Sequence, residues 1–364
     1  MRLERFRVVS VVLALALGAA ACGDDAGDAG VADPTSASEP AELSDEPTSS
    51  EPADDDVATS GEPADDEPVQ DADPTFPRTV TDAFGDIEIN EAPQRVVVLD
   101  QSLLDAALTL ELEVIGYTTF MDPDGPIPDL YGAAAAEFAT DAQWVGDLFA
   151  PSLESIAALQ PDAILTAAVR HEGIRAQLSA IAPTIMSESA GFGWKDTIRL
   201  VAEATGREEM AAAALDAYEA RAAAIGAAIN DAFDNPTISV LRLVDPPRLY
   251  QPVSFSGVVL TDAGLDRPES QRSQEEFSVD VSVEELGLAD ADFMFWATIR
   301  SPEADVLLDE LFASPLWNTI PVVQRGDVLE VEDQRWMSGV GLFGAHAILD
   351  DLAETFSVDD STAN

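Results

Sequence analysis

The residues best suited to chemistry in this chain are its arginines, and two of them occupy matching places in a repeat. The nineteen residues Ser152–Arg170 are echoed without a gap 130 positions later as Ser282–Arg300. Ser152-Leu153-Glu154 matches Ser282-Val283-Glu284, the Asp162 before Ala163–Leu165 matches the Asp292 before Phe293–Phe295, and Arg170 matches Arg300. The pattern predicts one unit used twice: a capped helix, a buried strand, and a loop that points an arginine into a cleft. Arg242 closes a predicted strand, Thr237–Arg242, and Arg335 stands beside Trp336 after a late strand. In α/β proteins ligands gather at the carboxyl ends of strands. A guanidinium is planar and permanently charged, so it grips planar anions such as carboxylates with paired hydrogen bonds and stacks on rings.

Aromatic residues near these ends, Tyr117, Phe120, Tyr250, Trp296 and Trp336, offer apolar and π surface, or else ordinary core packing. Glu154 and Glu284 fall in the first turns of their helices, where the helix dipole favours negative charge. Ser282 and Glu285 have capping-box spacing. The chain has two histidines: His171 adjoins Arg170 in the expected cleft loop, and His346 falls in the last helix. No His-x-x-Glu-His pattern, phosphate-binding Walker loop, Gly-x-Ser-x-Gly elbow or cysteine cluster occurs. A binding protein is therefore expected rather than an enzyme, with a secreted hydrolase as the rival class.

Positioning these side chains falls to an alternation of short apolar strands and helices, which argues an α/β architecture. Arg95–Asp100, Glu113–Tyr117 and Ala163–Thr166 read as strands of a first lobe; Thr237–Arg242, Phe293–Phe295 and Val328–Val331 read as strands of a second. Trp194–Thr205 is an expected helix stopped by Gly206. From about Glu208 to Ala232 the residues Leu215, Tyr218, Ala222, Ile225 and Ile229 recur at threes and fours, predicting a single long helix between the two repeat copies. Asn235-Pro236 ends it. The expectation is two Rossmann-like lobes joined by one long α-helix, with a ligand cleft between them.

The N-terminal residues carry a basic start (Arg2, Arg5, Arg7), an apolar run Val8–Leu17 and small residues before Cys22, the sole cysteine. This is the pattern of an export signal, and Cys22 after three alanines is similar to a bacterial lipoprotein box, although Ala19 stands where leucine is usual. A lone cysteine forms no internal disulfide. The stretch Gly23–Asp73 is almost wholly Asp, Glu, Pro, Ser, Thr, Ala and Gly, too polar to form a core. As a coil of about fifty residues it would reach roughly 40 Å. The expected organisation is signal peptide 1–21, acidic disordered tether 22–76, first lobe 77–206, connecting helix 207–234, second lobe 235–357 and tail 358–364. The formal charge is −51, with eighteen of the acids between Gly23 and Phe76 and Lys195 the single lysine. Such a chain has little with which to neutralise phosphates, so no nucleic-acid partner is expected.

In their order and spacing these segments resemble the ferric-siderophore substrate-binding proteins of ABC importers. The resemblance rests on Ala92-Pro-Gln-Arg-Val-Val97, on Val145-Gly…Pro151-Ser-Leu-Glu…Gln160-Pro-Asp-Ala-Ile-Leu165, on the helix around Asp216–Ala232, and on Asp262-Ala-Gly-Leu265, Pro315-Leu-Trp317 and Trp336. It covers about Phe76 to Phe356. It implies a receptor, lipid-anchored through Cys22 at the outer face of the cell membrane and monomeric, that captures a ferric siderophore and hands it to a permease dimer. Arg170, Arg300, Arg242, Arg335, Trp336, Tyr117, Trp296, His171 and Tyr250 are then the expected ligand-binding residues, and Glu154 and Glu284 the residues that dock on the permease. A siderophore holds its own iron, so no cofactor and no protein metal ligand are expected. Haem-binding and cobalamin-binding proteins share this fold; His171 with Tyr117 would be the axial candidates in a haem reading.

Overall fold

The computed structural model describes residues 75–119, 125–191 and 193–359, all within one compact unit, Pro68–Asn364. The signal peptide, Cys22, the tether and Phe120 lie outside the described residues. Among the described residues no helix is long and apolar enough to cross a membrane.

The first lobe is built around Arg95–Val98, whose three valines are all buried. An unbroken apolar run of this kind suits a strand covered on both faces. It lies between two parallel partners, Glu113–Thr119 and Ala163–Ala167. Gln143–Asp147 and Thr184–Ser187 extend the sheet in parallel on either side, and Ala150–Pro151 adds a short antiparallel edge. The second lobe has a mixed sheet in the order Ser278–Asp280, Arg248–Tyr250, Ile238–Arg242, Phe293–Ala297, Val328–Glu330. Arg248–Tyr250 runs antiparallel to both of its neighbours, and the last two strands run parallel to Ile238–Arg242.

The repeat is a repeat of structure. In each lobe its strand pairs in parallel with the lobe's leading strand, Ala163–Ala167 with Arg95–Val98 and Phe293–Ala297 with Ile238–Arg242. In each lobe the aspartate before it clamps the start of that partner. Asp162 accepts the N–H groups of Gln94 (3.1 Å) and Arg95 (2.8 Å), and Asp292 accepts the N–H (2.9 Å) and hydroxyl (2.8 Å) of Thr237. The helices differ. Ser152 caps an α-helix, Leu153–Leu159, whereas Ser282 and Glu285 form a capping box on a 3-10 helix, Val283–Ala289. There Leu286 and Ala289, three residues apart, are both buried, a spacing that a three-residue turn stacks on one line.

Helix Trp194–Thr205 ends at Gly206, in the left-handed region with φ 73°. The long helix runs Glu208–Phe233, roughly 39 Å at 1.5 Å per residue. Its stripe of Leu215, Tyr218, Ala222, Ile225 and Ile229 is buried. It packs on Trp194–Thr205 at one side and on helices Phe255–Asp262 and Leu342–Phe356 at the other. Gly226 permits the closest approach, since a Cβ there would fall 1.6 Å from the carbonyl oxygen of Ala263. A single apolar cluster runs from Val80 and Val96 through Trp194, Tyr218 and Ile225 to Phe295, Trp336 and Phe356. The lobes therefore share a core, and wide opening would expose it to water.

Candidate ligand-binding cleft

The five parallel strands of the first lobe and the leading strand of the second deliver their carboxyl ends to one cavity of about 980 Å³. Asp100–Ser102, Tyr117–Thr119, Arg170 and Glu188–Gly191 follow or end first-lobe strands; Arg242, Arg248 and Tyr250 face them from the second lobe, with Phe277 and Met337. This volume lies at the upper end of the range for small-molecule sites.

Asp100 organises the first-lobe wall. It caps helix Gln101–Thr109, one carboxylate oxygen accepting the Ser102 N–H (2.9 Å) and hydroxyl (2.6 Å). Its other oxygen accepts the Nε–H of Arg170 at 3.2 Å. Arg170 also lies over the Phe149 ring, 5.5 Å from its centroid. The terminal amino groups of Arg170 have no partner among the described residues. It is thus a fork held by its stem.

His171, next in sequence, is buried and faces away from this task. Its Nε2 donates to the Leu148 carbonyl (2.7 Å), which leaves Nδ1 to accept the Thr166 hydroxyl (2.6 Å). Burial holds its pKa below the usual 6.5, although the Leu148 carbonyl and Asp100 pull the other way. The neutral ring pins the Leu148–Phe149 loop beneath Arg170.

The second-lobe wall is a pair of arginines directly opposite each other on antiparallel strands, Arg242 and Arg248. Like charges so placed repel, and each is answered by an acid. Arg242 has a partner at every nitrogen: Nε and Nη2 donate to the two oxygens of Asp333 (2.6 and 2.7 Å), and Nη1 donates to the Tyr250 hydroxyl (3.0 Å). Burial works against its charge, but Tyr250 and Asp333 hold it above the usual guanidinium pKa. Arg248 has only its Nε near Asp280, 3.1 Å away on the neighbouring strand. Burial raises the Tyr250 pKa, so the phenol stays protonated. Since its oxygen accepts from Arg242, its proton remains available to a further acceptor. Tyr117 donates to the Gly125 carbonyl at 3.2 Å.

The family pattern described as periplasmic binding protein matches residues 96–334. A probable siderophore-binding lipoprotein of Bacillus subtilis, YfiY, is 32% identical over 295 residues, covering 77% of this chain and 87% of its own length. The chain belongs to the periplasmic binding protein family. The achromobactin-binding periplasmic protein of Dickeya dadantii is 29% identical, over 73% of this chain and 87% of that protein. The crystal structure of Staphylococcus aureus SirA complexed with staphyloferrin B superposes with a TM-score of 0.69 at 26% identity, covering 78% of this chain and 99% of SirA.

In this family member the cavity gathers Arg170, Arg242, Tyr117 and Tyr250 from among the expected ligand-binding residues. The others are placed elsewhere. Arg300 is exposed, paired with Asp305 at 2.9 Å and with Glu330, and lies over the Trp296 ring. Trp296 is buried in the outer core of the second lobe, edge-on to Phe312. Trp336 is buried and stacked on Phe295, its Nε1 donating to Asp351 at 2.8 Å. Arg335 is paired with Asp351 at 2.7 Å and lines a separate recess of about 570 Å³ with His346 and Asp350. His171 does not line the cavity, and both of its ring nitrogens are hydrogen-bonded within the first lobe.

Sequence reasoning passed over Arg248, Phe277 and the Glu188–Gly191 loop. A signal for Arg248 was present: Asp245-Pro246-Pro247 marks a turn after the strand of Arg242, and a hairpin there sets Arg248 opposite Arg242. Glu154 and Glu284 are exposed in the first turns of their helices. Among the described residues no group of three or more His, Cys, Asp or Glu side chains is placed to hold a metal ion.

Proposed function

We propose that this protein is the solute-binding component of an ABC importer, which captures a ferric siderophore outside the cell and delivers it to the permease. The observation that carries the reading is the cavity between the lobes, with Arg170, held through its Nε by Asp100, on one wall and Arg248, near Asp280 but with no hydrogen bond from its Nε, on the other, both with terminal donors left for a ligand. Two such forks, with the Tyr250 proton, suit an anionic chelate with oxygen groups at both ends. The similarity to the siderophore-binding lipoprotein YfiY and to SirA supports the same class of ligand.

In this reading iron enters as cargo inside its chelator, and the protein supplies neither cofactor nor metal ligand nor catalytic group. Cys22 carries a lipid that anchors the protein at the outer face of the cell membrane. The receptor works as a monomer, and Glu154 and Glu284, one per lobe, meet the two permease subunits. The helix dipole also accounts for both glutamates, so uptake by a Glu154→Ala, Glu284→Ala double variant separates the two explanations.

Tryptophan fluorescence tests the binding step. Trp144 donates to the Thr119 hydroxyl (3.1 Å), and Thr119 lines the cavity, so one indole lies close to the ligand. Titration with ferric citrate, a ferric tris-catecholate, a ferric tris-hydroxamate, haem and cobalamin should give saturable quenching by a ferric chelate. Quenching by haem or cobalamin alone would overturn the siderophore assignment.

A further inference from the structure

Asp105 lies on the first-lobe helix Gln101–Thr109, yet its carboxylate serves the second lobe. One oxygen accepts the Leu342 N–H at 2.5 Å and the other the Phe343 N–H at 3.1 Å. These are the first two residues of the closing helix Leu342–Phe356, 237 and 238 positions further along the chain. The first N–H groups of a helix have no partner within it and need one when buried. The closing helix has no cap of its own, because the residue before it is Gly341. A Cβ at Gly341 would stand 2.0 Å from the Asp105 carboxyl carbon, so the glycine makes room for a cap that arrives from the other lobe.

The junction is sealed. Asp105 is 0% exposed. Tyr131 of the first lobe packs edge-on against Phe343, with ring centroids 5.5 Å apart. A Cβ at Gly339 would meet the Leu130 side chain at 2.7 Å, a second close approach between the lobes. The groups facing Asp105 are the Thr109 hydroxyl at 3.4 Å, the buried Tyr131 phenol, and the Asp100 carboxylate beyond it. No cation is paired with Asp105 among the described residues. Burial pushes its carboxyl up to about 8, while the backbone N–H donors of the closing helix pull it down.

The two elements joined here are two walls of the cavity. Gln101, Ser102 and Leu104 line it from the helix that bears Asp105, and Gln334, Met337, Ser338 and Val340 line it from the segment leading into the closing helix. We propose that Asp105 is a positioning residue for ligand capture, a helix cap donated across the lobe junction that fixes the spacing of these walls. Chelate affinity then depends on a side chain that never touches the chelate. The inference rests on the functional reading above.

The test combines titration with hydrogen exchange, using the tightest-binding ferric chelate of the panel. In Asp105→Ala, affinity should fall about tenfold, chiefly through faster dissociation, and exchange at the Leu342 and Phe343 amides should rise while the lobes stay folded. Asp105→Asn keeps the shape and one acceptor oxygen, and should recover part of both losses; if the alanine variant fails to fold, the asparagine variant against wild type decides. Unchanged affinity overturns the proposal, and so does lost affinity with unchanged amide protection. Exchange is read without ligand, and wild-type protein that bound no ferric chelate would mark failure of the functional reading instead.

Discussion

The two copies of the repeat share their strands, their aspartate clamps and their serine caps, and then part company at the arginine. In the first copy helix Ala168–His171 begins directly after strand Ala163–Ala167, and its winding sets Arg170 over the cavity against Asp100. In the second copy the place of Glu172 is taken by Pro302, the first residue of helix Pro302–Ala313. A proline bars the residue before it from helical conformation, and Ser301 is extended, with φ −152° and ψ 161°. Arg300 lies on the irregular stretch between strand Phe293–Ala297 and that helix, and pairs at the surface with Asp305 and Glu330. The second lobe supplies its cations from its leading strand and the hairpin beyond, Arg242 and Arg248. Equivalent sequence positions did not become equivalent positions around the cavity: Arg170 lines it and Arg300 does not.

The contrast can be broken by mutation. Arg170→Ala should weaken binding of an anionic ferric chelate by up to about a hundredfold, since charge-assisted hydrogen bonds contribute about 1.5–3 kcal/mol. Arg300→Ala should change affinity less than about twofold; equal losses in the two titrations would restore the symmetric clamp. Asp100→Ala removes both a helix cap and the partner of Arg170, so denaturant unfolding should show a loss of about 1–2 kcal/mol together with weaker binding. Its surface counterpart, Asp305→Ala, should lose at most about 1 kcal/mol, because exposed ion pairs contribute little. The clamps should behave alike: Asp162→Ala and Asp292→Ala are each expected to lose about 1 kcal/mol by the same measurement.

The smallest effect is a pH dependence confined to the first copy, whose His171 corresponds to Ser301 in the second. The folded state holds the His171 pKa below the unfolded 6.5, so the unfolded chain takes up the proton more readily. The contribution of His171 is present above pH 6.5 and is lost as pH falls through and below that value. Melting temperatures between pH 7.5 and 5 should fall more in wild type than in His171→Gln, and parallel curves would remove His171 as the cause.

Much of this architecture could be read from the chain because it rests on local signals. Gly206 stops one helix, Asn235-Pro236 follows the long one, and Val96–Val98 announce a strand covered on both faces. The site was legible only in part. Arg170, Arg242, Tyr117 and Tyr250 follow or end strands or begin hairpins, where position along the chain nearly sets position in space. Trp336 and Trp296 carry the same aromatic signal as a ligand-stacking ring, yet Phe295 and Phe312 claim them for the core. Type alone does not separate the two fates, because a buried ring and a cleft ring obey the same hydrophobic drive. Asp105 shows the reverse: inside a helical apolar stretch it gives no sign of its partners more than two hundred residues away.

The sequence by itself determined the two α/β lobes, the long helix between them and the doubled helix–strand unit, since each follows from periodicity, caps and breakers within a few residues. Tertiary structure decided which cations face the cavity, that both ring nitrogens of His171 are bonded within the first lobe, and that Asp105 caps a helix of the other lobe. Those outcomes depend on which groups meet across the fold. A buried charge or donor takes the partner that folding brings to it, and that partner is not written beside it in the chain.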